Sequence, residues 1–231
     1  MEERKRKFTL DPEKPSGVII LMALQSVLFC LIGFGLYFFS GSDEIRSIIP
    51  SSFLAPIGPV ALNVSVFLIA SVWMAVANIA GTHIMMNHSD EYKQADKESY
   101  DKMKVVLDQP GPVVLLVLIM GAFSEEVLFR MGAFSMIAFA FHAGGVSLAT
   151  SIVCGVVFSS LAFALMHNQY GNAAQLIQVA IAGIILCTGY LACGNVVTIA
   201  LAHLVANISA IAIEPLLESK APKSPWKRPG K

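Results

Sequence analysis

The chain has 231 residues, 55% of them hydrophobic and only 14% charged, with a mean hydropathy of +0.67. A soluble domain carries about 25% charged residues, so a soluble globular protein is excluded and a polytopic membrane protein is indicated. The formal net charge is zero, which gives no basis for a nucleic-acid partner.

Met1–Ser16 is charged and reads as an exposed arm. Gly17–Phe39 is an uninterrupted apolar run, long enough to span a bilayer and too long for a signal-peptide core, so it is expected to be a retained first span. Ser40–Pro59 contains Pro50, Pro56 and Pro59 and reads as a loop. Val60–Met86 is the second predicted span, with His83 and His88 near its end in a solvated or interfacial setting. Asn87–Lys104 alternates acids with lysines and is expected to be a solvated helix or loop. Pro110, Gly111 and Pro112 then break the chain.

The third predicted span runs from about Val113 to Phe141 and ends at Gly144 and Gly145. The fourth covers Val146–Met166 and closes on His167. The fifth covers Ala173–Ala192, and the sixth covers Val196–Ile213, before Pro215 and a basic tail. The fold class is therefore all-α, with about six transmembrane helices in one bundle. Cys30, Cys154, Cys187 and Cys193 lie in or beside apolar runs without a CxxC spacing, and read as small buried hydrophobes.

Six spans place both termini on one side of the membrane. The basic residues of the two tails and of the Lys93–Lys104 loop then share that side. The opposite connections contain one basic residue, Arg46. This is the positive-inside pattern, and it predicts a multi-pass protein of the lipid bilayer with both termini cytoplasmic.

Glu125, Glu126 and Arg130 sit inside the third apolar run. Each ionised side chain at membrane depth costs roughly 2.5–3.5 kcal/mol on insertion scales. Glu126 and Arg130 are four residues apart and share a helix face, so they are expected to pair. Glu125 is turned about 100° from Glu126 and is free to face a cavity. A buried ion lock needs only one carboxylate, which leaves Glu125 over.

Two further apolar spans supply His167, and His203 with Asn207 on one helix face. A carboxylate and a histidine can activate a water, and a His–Asn pair can donate to an oxyanion, so the set suits hydrolysis. Glu125, His167 and His203 are equally a candidate ligand set for a divalent metal such as Zn2+, although HExxH does not occur.

The order Glu125-Glu126-x-x-x-Arg130, Phe163-x-x-x-His167, His203-x-x-x-Asn207 resembles the CPBP family of intramembrane endopeptidases, also called the CAAX protease and bacteriocin-processing (Abi) family. The resemblance covers about Gly121–Ile211. It implies an all-α membrane core with a chamber open toward the cytosol. By position, Glu125 would activate water with His167, His203 and Asn207 would form the oxyanion site, and Glu126 and Arg130 would hold the architecture or position substrate. Family members are described as metalloproteases and also as metal-free glutamate enzymes. They commonly have Gly directly after the arginine, where this chain has Met131 and then Gly132, a departure that bears on close helix packing there.

The expected organisation is a basic arm (1–16), two N-terminal spans with a cytoplasmic loop (17–104), a CPBP-like catalytic core (105–214) and a basic tail (215–231). The expected function is an intramembrane endopeptidase acting on a membrane-associated or lipidated peptide or protein. A non-catalytic scaffold or bacteriocin-immunity protein of the same fold, or a small transporter, are the alternatives.

Overall fold

The structure, a computed structural model, describes residues 14–40, 59–167 and 173–218. Most of the loop expected over Ser40–Pro59, the turn at Asn168–Asn172, most of the arm and most of the tail lie outside the described residues. Those described form helices and turns: α1 (Pro15–Phe39), α2 (Val60–His88), α3 (Asp90–Leu107), α4 (Gly111–Glu126), a π-helical segment (Val127–Ala133), α5 (Phe134–Ala143), α6 (Leu148–His167), α7 (Ala173–Cys193) and α8 (Val196–Glu218).

Five of these helical stretches are long and apolar enough to cross a membrane, with α4, the π segment and α5 counted as one continuous stretch, Gly111–Ala143. The sixth expected span corresponds to α8, whose Val196–Ala212 is apolar among the described residues. The helix itself passes Pro215 and ends at Glu218, beyond the expected boundary at Ile213. At the other end, α1 begins at Pro15, inside the stretch read as an arm. The acidic and basic segment after α2 is helical, with Ser89 Oγ accepting from the Tyr92 N–H as its N-cap.

Gly111–Ala143 is the centre of the bundle. In its most apolar stretch 44% of residues are buried, against 17–33% in the other four. The outer helices turn large apolar side chains outward, among them Leu31, Trp73, Val153 and Leu165. That surface suits contact with lipid, which is as apolar as leucine.

The π segment is where α1 meets the central helix. A Cβ added to Gly33 would lie 2.6 Å from the Val127 carbonyl oxygen, and one added to Gly132 would lie 2.7 Å from Gly33 Cα. Two backbones therefore touch, which membrane helices achieve with small residues. Gly132 supplies the close approach, while Met131 fills the hydrophobic core beside Val127, Phe134 and Tyr190. The tight turns after α5 and α7 each use a glycine at positive φ, Gly145 (87°) and Gly194 (63°). Asn195 Oδ1 then accepts from the Thr198 N–H at 2.8 Å and caps the start of α8.

Candidate active site

Glu125 and Glu126 are the last residues of α4, and Arg130 lies in the π segment that follows. A π turn closes i→i+5 and is often found at functional positions. It contains one more residue than an α turn, so the faces before and after it are offset by about 100° from α-helical register.

The two neighbouring glutamates face different surroundings. Glu126 is completely buried, and its Oε2 lies 3.0 Å from Arg130 Nε, whose side chain is 1% exposed. The contact is an ion pair without aligned hydrogen-bond geometry, and neither Nη atom of Arg130 has a hydrogen-bond partner among the described residues. The guanidinium instead lies 4.3 Å from the Phe163 ring centroid, a cation–π arrangement. Glu125 is 16% exposed and borders a cavity of about 170 Å³ that Asn207 also lines.

Two imidazoles approach Glu125. His167 Nδ1 donates to the Phe163 carbonyl oxygen at 2.8 Å, since a carbonyl only accepts, and its Nε2 lies 3.6 Å from Glu125 Oε2. His203 Nδ1 donates to Glu126 Oε1 at 2.8 Å, and its Nε2 lies 3.8 Å from the same Glu125 oxygen. With Nδ1 the donor in both rings, each Nε2 faces the same Glu125 oxygen, and separations beyond 3.5 Å leave room for a shared proton or a water.

Phe163 ties these groups together. Its ring is 4.4 Å from that of His167, 5.8 Å from that of His203 and 5.2 Å from that of Phe129. Glu125, His167, His203 and Asn207 thus gather around the end of α4, together with the Glu126–Arg130 pair behind His203. The contact between Glu126 and His203 escapes sequence reasoning, because 77 residues separate them and no local spacing reports it. Met22, Met103 and Leu107 also border the cavity, and no polar or charged signal marks them.

A tetrahedral zinc bound at about 2.0–2.1 Å holds its ligands a little over 3 Å apart, so the Glu125–histidine separations are near that scale. Even so, among the described residues no group of three or more His, Cys, Asp or Glu side chains closes into a metal-holding set. Both imidazoles approach one carboxylate oxygen, an arrangement that a proton or a water also satisfies.

The model of the family described as Type II CAAX prenyl endopeptidase Rce1-like matches residues 108–209. That stretch contains every polar group of the site. No curated protein matches the chain, and no solved structure matches it.

Proposed function

Because the chain belongs, through residues 108–209, to the CAAX protease family, we propose that it hydrolyses a peptide bond of a membrane-associated substrate with Glu125 as general base. It is a CAAX-type peptidase of a membrane. The observation that carries the mechanistic reading is the position of Glu125, between a cavity on one side and two imidazole Nε2 atoms on the other.

In this mechanism a water beside Glu125 and His167 gives a proton to the Glu125 carboxylate as its oxygen attacks the scissile carbonyl carbon. The carbonyl oxygen becomes an oxyanion and accepts hydrogen bonds from the Asn207 amide and from Nε2–H of His203 in its imidazolium form. Glu126 accepts from Nδ1–H and fixes the orientation of the ring, while Arg130 lies against the other oxygen of Glu126. The proton on Glu125 passes to the leaving nitrogen, the C–N bond breaks, and a carboxylic acid and an amine are released, the acid then giving its proton to the amine. No step passes through a metal.

The substrate class is a peptide or a lipidated protein. Cleavage of a quenched fluorescent peptide library, with and without a prenylated C-terminal cysteine, by the purified full chain tests this. Products from wild type support the reading, and proton-coupled flux in vesicles without cleavage would replace it with transport. The distribution of lysine and arginine supports cytoplasmic termini. A fluorescent protein fused after Lys231 should therefore fluoresce in cells, and an active periplasmic-type phosphatase at that position would contradict the orientation.

A further inference from the structure

α3 lies outside the family match, and its Asp90, Lys97, Asp101 and Lys104 are exposed. Among its described residues Tyr92 alone is buried, at 2% exposure. A polar helix held by one buried side chain near its start takes its position from the partners of that side chain.

Those partners belong to two membrane spans. The Tyr92 hydroxyl donates to Gln178 Oε1 of α7 at 3.0 Å, and Thr82 Oγ1 of α2 lies 3.4 Å from the same hydroxyl. Gln178 Nε2 donates to Asn78 Oδ1 of α2 at 2.7 Å and to Thr82 Oγ1 at 3.4 Å. Since the Tyr92 proton goes to Gln178, the Thr82 hydroxyl donates to Tyr92 and a ring of three groups closes. A satisfied polar network of this kind specifies one arrangement of the elements it joins.

Tyr92 and Met103 are eleven residues apart. On an α-helix that places them within about 20° of one direction and about 16 Å apart along the axis. Val106 and Leu107 fall about 40° and 60° to either side of Tyr92. Met103, Val106 and Leu107 border the cavity that Glu125 and Asn207 line. The face of α3 that meets the site is thus the face that Tyr92 ties to α2 and α7. A turn of the helix by about 100°, one residue, would bring Lys104 to where Met103 stands.

We propose that Tyr92 and Gln178 are positioning residues of this peptidase, whose hydrogen bond fixes the rotation of α3 and so which of its side chains border the cavity beside Glu125. The inference rests on the peptidase reading given above. Neither residue is among those that border the cavity, so their effect is carried by α3. Losing the bond weakens contacts made equally by bound substrate and transition state, which raises KM and leaves kcat unchanged.

The test uses the purified full chain in detergent, with amide hydrogen exchange and steady-state cleavage of a quenched peptide measured on the same samples. Tyr92→Phe keeps the buried ring and removes the hydroxyl. It should raise KM by about 2- to 10-fold, the worth of one neutral hydrogen bond, with kcat within about 2-fold of wild type. The α3 amides should exchange faster by a similar factor, with those of α4 and α8 unchanged. Gly81→Ala is the second variant. Its Cβ would lie 3.2 Å from Gln178 Cδ, so it displaces that amide and removes no polar group, and both readouts should move in the same direction. Tyr92→Phe combined with Gln178→Leu should raise KM no further than the larger single change. An unchanged KM in Tyr92→Phe and Gly81→Ala, or a fall in kcat alone, would overturn the positioning role and leave the peptidase reading standing. A higher KM without faster α3 exchange would overturn it as well. Cleavage of no peptide by wild type would overturn the peptidase reading, and the positioning role with it.

Discussion

Glu126 Oε1 and His203 Nδ1 lie 2.8 Å apart, in a contact that joins the end of α4 to the middle of α8. The other oxygen of the same carboxylate faces Arg130 at 3.0 Å. Glu126 therefore sits between a permanent cation and an imidazole that bears on the adjacent Glu125. One carboxylate orients the histidine while its neighbour faces the cavity.

Removing one member of the Glu126–Arg130 pair strands a charge in a dry site. Arg130→Ala or Glu126→Ala should each cost about 3–5 kcal/mol, read as a lower thermal midpoint in detergent. Converting both to leucine should recover much of that stability but not activity, because His203 loses its acceptor. An unchanged midpoint in either single variant would contradict the buried pair.

The contact between α1 and the π segment is backbone against backbone at Gly33 and Gly132. A methyl group there meets atoms that cannot rotate away, so Gly33→Ala and Gly132→Ala should each destabilise by about 1–3 kcal/mol. Gly35→Ala is the control, since nothing lies within 4 Å of its added Cβ. Equal midpoints for all three variants would argue against the close approach.

Much of this architecture is legible in the sequence. Gly17–Phe39 and Ala173–Ala192 read as helices because no charged residue interrupts them, and Gly145 and Gly194 mark turns that need positive φ. The Glu126–Arg130 pair follows from a four-residue spacing. The π segment is not legible, since no residue type in Val127–Ala133 separates a π turn from an α turn. The place of Met103, Val106 and Leu107 beside the cavity is hidden because they follow a run of acids and lysines that dominates the local pattern. The Glu126–His203 contact depends on how α4 and α8 pack, which no local spacing encodes.

Asn207 borders the cavity from the side of α8. If its amide donates to the oxyanion, Asn207→Ala should lower kcat by about 100- to 1,000-fold with a smaller effect on KM. A change confined to KM would assign Asn207 to substrate binding instead.

The proposed mechanism routes no step through a metal, so cleavage should survive prolonged treatment with a strong chelator. Loss of activity that added Zn2+ restores, and other divalent ions do not, would contradict this and return Glu125, His167 and His203 to the role of ligands.

The most direct measurement is the steady-state cleavage rate of Glu125→Gln beside wild type, on one peptide, with thermal midpoints recorded for both. The amide keeps the shape of the side chain and cannot accept a proton from water. The account predicts a loss in kcat of at least about 100-fold at an unchanged midpoint. Cleavage at the wild-type rate by Glu125→Gln would show that the base lies elsewhere.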